Sequence, residues 1–387
     1  MDHKTDYDVV VVGSGPAGAT TARVSAENRL KVLLVDKKQE LGAPIQCSGA
    51  VSAHALGDVG ITPDDEYVSS SIFGFKIYDS NGNSTIQDYR KLKPNEYNEN
   101  PLGYVVDRRR FDRYLMKKAE QAGVEVWLKT EALGYKINRD KTVDIHLNKF
   151  GQNINVNTKV IVGADGLQSQ VGKWAGLRTH IRLSELASCL QFVMDGVPTD
   201  GFLEIFTGHK WAPGGYAWIL SKGNEYVEVG LGVIRTLTKK DAKWHLDNFI
   251  GNSFVADRLK NGKILEVQGG GVPLAAPLKK QYADNIILVG DAARHVNPIT
   301  GGGIHTALRC GVIAGKFLGE LLFTDNPPTK QNLAAYQQRW MDEIGESMWA
   351  LYSKKRDIFH QPVMERDRRL YETLSNYFHP NSEYRKV

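Results

Sequence analysis

Tyr7-Asp8-Val9-Val10-Val11-Val12-Gly13-Ser14-Gly15-Pro16-Ala17-Gly18 is the stretch on which the fold turns. Its first six residues are a short apolar run ended by glycine, the pattern of a buried parallel strand, and Pro16 to Glu27 reads as a helix. Lys31 to Val35 is the next strand, and Asp36 closes it 18 residues after Gly18. Strand, helix and strand in this order open a doubly wound parallel sheet. The glycines have separate duties. Gly13 permits the tight turn, Gly15 lets backbone approach a pyrophosphate, Gly18 lets helix and strand pack closely, and the helix start offers free N–H groups to the anion. Asp36 is placed to accept hydrogen bonds from ribose hydroxyls. A glycine turn without a ligand is the plainer reading, but strand, helix and acid are all present. The fingerprint alone does not separate FAD from NAD.

Two later segments decide for FAD. Val160 to Val162 ends in Gly163-Ala164-Asp165-Gly166, and Ile286 to Val289 ends in Gly290-Asp291-Ala292-Ala293-Arg294. A carboxylate at a strand end, beside a glycine and a helix start, can hold a ribityl hydroxyl while the helix dipole faces phosphate or the flavin pyrimidine edge. NAD needs no such third element. Pro298-Ile299-Thr300-Gly301-Gly302-Gly303-Ile304 follows, and its three glycines let a flat ring system lie against bare backbone. His295 and His305 flank this loop; His295 is the better candidate for titration, although a histidine satisfied by backbone is the simpler account.

Working outward, Arg108 to Ala122 is amphipathic and leads into Val124 to Leu128, which continues the layered sheet. From about Ile181 to Leu265 the strands are longer and aromatic, and the excursion Ser69 to Tyr97 joins them. Thr329 to Val387 is helical by period. The expected fold is α/β: a Rossmann-like FAD-binding domain (1–68, 98–180 and 266–325), an inserted antiparallel β-rich substrate domain (69–97 and 181–265), and a C-terminal helical segment (326–387). Within the insert, Tyr216 and Trp218 point to one face of a strand, where they could line an apolar tunnel or fill an ordinary sheet core.

Composition narrows the function classes. With 42% apolar and 24% charged residues in 387, the chain is an ordinary globular one. The longest apolar run, Leu308 to Phe323, is broken by Arg309, Lys316 and Glu320, so no spanning helix is expected. The polar start, Met1 to Tyr7, carries no secretory pattern, and a cytoplasmic location is expected. Cys47, Cys189 and Cys310 have no metal-ligand spacing, so no metal is expected; Cys189 and Cys310, in strand and helix patterns, read as structural. The net charge of +5 is mild, and the last 35 residues carry eight basic against five acidic side chains, which suggests a basic tail and no nucleic-acid groove. Lys354-Lys355-Arg356 with Arg366, Arg368 and Arg369 would be a solvated helix face or a peripheral contact for anionic headgroups.

These motifs, in this order, resemble the FAD-dependent group that contains para-hydroxybenzoate hydroxylase. Within it they are most similar to the geranylgeranyl reductases, especially the archaeal digeranylgeranylglycerophospholipid reductases. The resemblance spans residue 7 to about 325. It matches Gly13 to Asp36, Arg108 with Phe111-Asp112, the adenine-contacting backbone at Ala132 in Ala132-Leu133-Gly134, and Gly290-Asp291 through Gly303-Ile304. It implies cofactor contacts at Gly13, Gly15, Ala17, Gly18, Asp36, Cys47, Ser48, Ala50, Arg108, Ala132, Asp165, Gly290, Asp291, Pro298, Gly301, Gly302, Gly303 and Ile304. Family reductases carry a cysteine in a loop over the flavin, where this chain has Gly42-Ala43-Pro44-Ile45-Gln46-Cys47-Ser48-Gly49-Ala50. The family loop often continues glycine, glutamate, glycine, and the acidic neighbour is missing here. The family's substrate signature falls on Pro213, Tyr216 and Trp218, but Ile219-Leu220 stand where it has Phe-Pro.

The implied activity is saturation of isoprenoid double bonds in geranylgeranyl lipids. Because an isolated alkene is not electrophilic, hydride from reduced flavin requires a proton delivered to the other carbon, and Cys47 is the candidate donor. A second glycine fingerprint is lacking, so electrons are expected from an external donor, a reduced ferredoxin-like carrier or NAD(P)H. Two other readings share the scaffold: a monooxygenase of an aromatic or quinone ring, and a flavin electron-transfer module. A halogenase is disfavoured, since its tryptophan-rich signature and lysine are not recognisable.

Overall fold

The computed structural model describes residues 6–223, 226–324 and 326–382. The first sheet is eight-stranded, with Tyr282–Ala283, Ile286–Leu288, Gln152–Gly163, Tyr7–Val12, Val32–Val35 and Glu125–Trp127 side by side, and Val143–Lys149 and Thr130–Ile137 branching from Gln152–Gly163. Tyr7–Val12 pairs in parallel with both Val32–Val35 and Gln152–Gly163, which in turn pairs in parallel with Ile286–Leu288. The registers Val12 to Val35, Val12 to Gly163 and Gly163 to Leu288 align the strand ends. All the loops that carry the glycine and aspartate motifs therefore leave the sheet at one edge, where open α/β sheets take their ligands. The near-continuous valine and leucine runs of these strands are what burial on both faces demands; Val9, Val10 and Val11 are fully buried.

The second sheet is seven-stranded, in the order Lys263–Pro273, Leu186–Asp195, Tyr226–Ile234, Tyr216–Ser221, Leu203–Thr207, Gly74–Tyr78, Ser84–Asp88. One face packs Phe192 and Met194 against Leu246 and Phe249 of the helix Ala242–Asn252. The other face turns toward the first sheet. A small sheet of Ala50–Ser52, Gly103–Val106 and Val68–Ile72 bridges the two. Two expected boundaries fall inside strands. Lys263–Pro273 pairs with Leu186–Asp195 along its length and crosses 265/266, while Val68–Ile72 pairs with Gly103–Val106 and crosses 68/69. The chain changes layer without a break in its strand, so the alternation of residues gives no signal there.

The C-terminal segment is helical, with Lys330–Trp340, a π-helical turn at Met341–Gly345, Glu346–Phe359 and Val363–Tyr377. Its expected basic face is solvated at Arg356 and Arg368 but not throughout. Lys355 is buried and donates to the Leu274 carbonyl, and Arg366 is buried as well. Arg368 pairs with Glu365 at 2.7 Å and Glu372 at 2.5 Å, and Arg369 with Glu365 at 2.6 Å, along one helix. Acids three and four residues away neutralise this face locally. Arg385 and Lys386 lie outside the described residues. Among the described residues no helix is long and apolar enough to cross a membrane.

Candidate functional site

One cavity of about 940 Å³ joins the glycine-rich strand ends to the open face of the second sheet. It brings together Gly15, Ala17, Cys47, Ser48, Ala50, Arg108, Gly290, Asp291, Gly301, Gly302, Gly303, Ile304, Tyr216 and Trp218, which lie up to two hundred and ninety residues apart in sequence. Gly13, Gly18, Asp36, Ala132, Asp165, Pro213 and Pro298 are not in its wall. Gly13 and Gly18 shape the turn from behind. Gly13 has φ +110°, and a Cβ on Gly18 would lie 1.9 Å from the Gly13 carbonyl oxygen. A Cβ on Gly15 would meet nothing within 4 Å, so the loop presents bare backbone to open space at the helix start.

The carboxylates divide their capacity between the chain and the cavity. Asp36 Oδ2 accepts from the Ser14 N–H and hydroxyl, and Oδ1 from the Lys38 N–H at 2.8 Å. Its backbone carbonyl accepts from Thr130 N–H at 2.8 Å, which seats the strand bearing Ala132 beside the strand end. Asp165 caps the helix Gln170–Trp174, Oδ2 accepting from Gln170 N–H at 2.6 Å and Val171 N–H at 3.0 Å, while its Oδ1 is buried with no partner. Asp291 stands in the cavity wall itself. Burial pushes its carboxyl up to about 6, and the Arg108 guanidinium opposes that rise. Bare glycine backbone at a helix start and a carboxyl facing the cavity are a donor and acceptor set that suits FAD. The residues present fit that cofactor.

Arg108 opens the helix Arg108–Gln121 and pairs with Asp112 through two contacts of 3.1 Å. Its guanidinium lines the same cavity as the Cys47 thiol. Burial works against the charge on Arg108, and the Asp112 carboxylate holds the guanidinium firmly protonated against it. The Tyr216 hydroxyl donates to the Thr300 carbonyl, so this tyrosine fixes the glycine loop as well as lining the cavity. Asn297 fastens the same loop from the other side, its Oδ1 accepting from Ile299 N–H at 3.0 Å and Thr300 N–H at 3.1 Å, and its Nδ2 donating to Tyr377. His295 is wholly buried. Its Nδ1 accepts from Gly290 N–H at 3.2 Å, which leaves the ring proton on Nε2 for Gln281, and burial drives it down to about 3.

Cys189 corrects the sequence reading. It lines the cavity with Gln191, because alternation along Leu186–Asp195 puts both on the open face and the residues paired with Cys189 are Gly232 and Gly270. No neighbouring side chain covers its thiol from either strand, and burial pushes it up to about 12. Cys310 is buried and accepts from Trp340 Nε1 at 3.2 Å, as a structural thiol does. Reasoning from sequence also missed the two ends of the cavity. Phe75, Tyr89, Leu203, Ile205 and Leu220 extend the apolar wall beyond Trp218, and Tyr377 and Phe378 of the chain's last helical turn close it. A polar group, His54, Asp58, His305, Arg309 and Glu343, lies elsewhere in the wall. His305 is held down to about 4 by burial and by Arg309. Only the wall position of the aromatic signature gave a sequence-level hint of this volume.

Fold and cavity together define a flavin-dependent oxidoreductase that binds FAD. Two sequence profiles match, an FAD binding domain over residues 8–67 and a geranylgeranyl reductase catalytic domain over residues 185–272. The digeranylgeranylglycerophospholipid reductase of Methanothrix thermoacetophila is 37% identical over 88% of this chain and 84% of its own. That of Methanocaldococcus jannaschii is 36% identical over 87% and 83%. The chain belongs to the digeranylgeranylglycerophospholipid reductase family. The crystal structure of a geranylgeranyl bacteriochlorophyll reductase-like protein from Thermoplasma acidophilum superposes with a TM-score of 0.86 at 29% identity, covering 98% of this chain and 93% of that one. A flavin-dependent brominase shares the fold alone, with a TM-score of 0.70 at 19% identity over 97% and 96%.

Proposed function

We propose that this chain saturates carbon–carbon double bonds in the geranylgeranyl chains of membrane lipids, with Cys47 as the proton donor. The observation that carries this reading is the shared cavity, which Cys47 and Arg108 line together with the glycine loop and the aromatic Tyr216 and Trp218. Gly15, Ala17, Asp291 and the loop Gly301–Ile304 would hold the cofactor, with Asp36, Ala132 and Asp165 supporting its outer parts. Bound FAD, once reduced, supplies the hydride. The protein supplies what an unactivated alkene lacks: alignment, a dry wall and a proton at the second carbon. Cys47 gives up that proton, and the Arg108 guanidinium stabilises the thiolate left behind. Tyr216, Trp218, Ile205 and Leu220 exclude water along the chain of the lipid.

The finer elements of the reading follow from the same arrangement. One dinucleotide fingerprint serves FAD, so the electrons come from an external donor, a reduced ferredoxin-like carrier or NAD(P)H. The lipid substrate calls for reversible contact with a membrane surface. Since Lys355 and Arg366 are buried and Arg368 and Arg369 are paired within their own helix, that contact is assigned to the region around the cavity's polar group. The flavin-binding unit comprises the parallel sheet with its flanking helices, and the substrate unit comprises the antiparallel sheet, now including Lys263–Pro273. The test is anaerobic mixing of chemically reduced enzyme with a geranylgeranyl lipid. Flavin reoxidation with a gain of two hydrogens per alkene is expected, slowed ~10² to 10⁴-fold in Cys47→Ser with flavin content unchanged. Reoxidation only when oxygen is admitted, with an oxygenated product, would overturn the assignment in favour of a monooxygenase.

A further inference from the structure

The segment that carries Cys47 has no helix or strand of its own between Gly42 and Ala50, so its placement depends on what it is tied to. Gly49 is tied to the small sheet, its carbonyl accepting from Val106 N–H at 2.9 Å. The second tie comes from the opposite wall of the cavity. Lys222, in the turn after Tyr216–Ser221, donates from Nζ to the Ser48 carbonyl at 3.0 Å and to the Val106 carbonyl at 3.5 Å. The same Nζ lies 3.6 Å from Glu228 Oε2, and the Glu228 side chain is wholly buried. Glu228 Oε1 in turn accepts from Trp218 Nε1 at 3.3 Å. Two carbonyls accept from this ammonium and the Glu228 carboxylate stands at ion-pair distance, so partners from three separate segments converge on it.

We infer that Lys222 and Glu228 are positioning residues for the reaction: their buried pair couples the Cys47 segment to the Trp218 indole, so that thiol and aromatic wall keep one relative placement. Stability does not account for the pair. With Glu228 wholly buried and Lys222 half-buried the pair bears a desolvation penalty, and apolar residues of similar volume commonly replace such a pair without loss. What the charges add is direction. Lys222 reaches the carbonyl next to Cys47, and Glu228 fixes the indole whose Cζ2 would lie 2.5 Å from a Cβ on Gly230, so the ring is held flat on that glycine. A shift of about 1 Å between donor and substrate wall is enough to lose ~10²-fold in rate.

The kinetic half of this inference rests on the reductase reading, whereas the placement of the thiol does not, and the experiment keeps them apart. Lys222→Met and the neutral pair Lys222→Met/Glu228→Gln are compared with wild-type holoenzyme by the rate of Cys47 alkylation with iodoacetamide, located by peptide mass. Thermal stability, and kcat and KM for reduction of a geranylgeranyl lipid, are measured alongside. Lys222→Met should alkylate at Cys47 about 10-fold faster and lose ~10 to 10²-fold in kcat, with KM changed by less than about 3-fold. The neutral pair should recover thermal stability, since no lone buried charge remains, yet keep the fast alkylation and the low kcat, because Ser48 still lacks its donor. Should Lys222→Met fail to fold, the neutral pair decides alone. Wild-type alkylation in the neutral pair, or kcat restored along with stability, would overturn the inference. If the wild type turns over no prenyl lipid, the reductase reading fails, and the alkylation rates still decide the placement.

Discussion

Replacing Asp291 by asparagine should make the cofactor-free chain more stable at neutral pH while loosening its hold on FAD. Burial in the cavity wall raises the Asp291 carboxyl from 3.8 to about 6, and Arg108 recovers only part of that rise. At about 1.4 kcal/mol per pH unit, keeping it charged in the fold costs up to about 3 kcal/mol near pH 7. This is an upper bound, because Asp291 keeps part of its surface toward the cavity. For a chain of 387 residues a change of that size moves Tm by roughly 3 to 4 °C. The pH dependence has a definite sign. Between about pH 4 and 6 the folded carboxyl holds a proton that the unfolded one has released, so stability falls as pH rises through that window. Asparagine does not titrate. The variant's advantage should be small at pH 4.5 and full at pH 7.5 in melting curves of cofactor-free protein. FAD titration should show affinity weaker by ~10-fold or more, from the loss of a charged acceptor. A gain of equal size at both pH values, or none at pH 7.5, would refute the argument that the cavity holds this carboxylate against its own desolvation.

Gly18→Ala should abolish FAD retention and destabilise the chain by about 3 kcal/mol or more, since the new Cβ would sit 1.9 Å from the Gly13 carbonyl oxygen and neither backbone can yield; flavin absorbance of the purified protein and its melting point report both. Tyr216→Phe removes the donor to the Thr300 carbonyl, and the freed glycine loop should bind FAD ~10-fold more weakly while the sheet keeps its stability to within about 1 to 2 kcal/mol, measured by flavin fluorescence and denaturant unfolding. Gly230→Ala puts a methyl 2.5 Å from Trp218 Cζ2 and 2.6 Å from Gln191 Cβ. The displaced indole should raise KM for a prenyl lipid and leave FAD content unchanged, and an unaltered KM would show that the indole does not line the substrate path.

The parallel sheet and its cofactor were legible because each motif sets glycines or an acid, and in two cases both, directly after a strand, and the shared register then brings four strand ends to one edge. The cavity's other wall was not, for reasons of sequence distance. A strand cysteine looks the same whether it faces core or cavity; what exposes Cys189 is that Gly232 and Gly270, on strands far along the chain, pair beside it and contribute no side chains. Lys222 in a polar turn resembles any solvated lysine, and only the packing of that turn against Ser48 and Val106 removes it from water. In the basic C-terminal run the solvated face was legible at Arg356 and Arg368, but its neutralisation was not. Counting charges sees Arg368 and Arg369 as a patch, whereas the helix period places Glu365 and Glu372 within reach of them.

The same distance effect changes what the last helix is for. The family resemblance ends near residue 325, which would leave Val363–Tyr377 as an accessory cover. Its contacts contradict that. Gln87 donates to the Ser375 carbonyl at 2.7 Å, Tyr89 to the Phe378 carbonyl at 2.6 Å, and the Phe378 ring stacks on Phe75 with centroids 4.1 Å apart. Three successive anchors on the far edge of the antiparallel sheet fix the helix end over the apolar wall, and Asn297 reaches Tyr377 at 3.1 Å from the loop that faces the cofactor. Tyr216 holds one side of that loop and Asn297 with Tyr377 the other. The segment with no motif to announce it thus touches both the glycine loop and the apolar wall of the cavity. A change in how the last helix docks would therefore be felt at both: at the loop by a loss of hydrogen bonding, and in the substrate space by a loss of apolar wall.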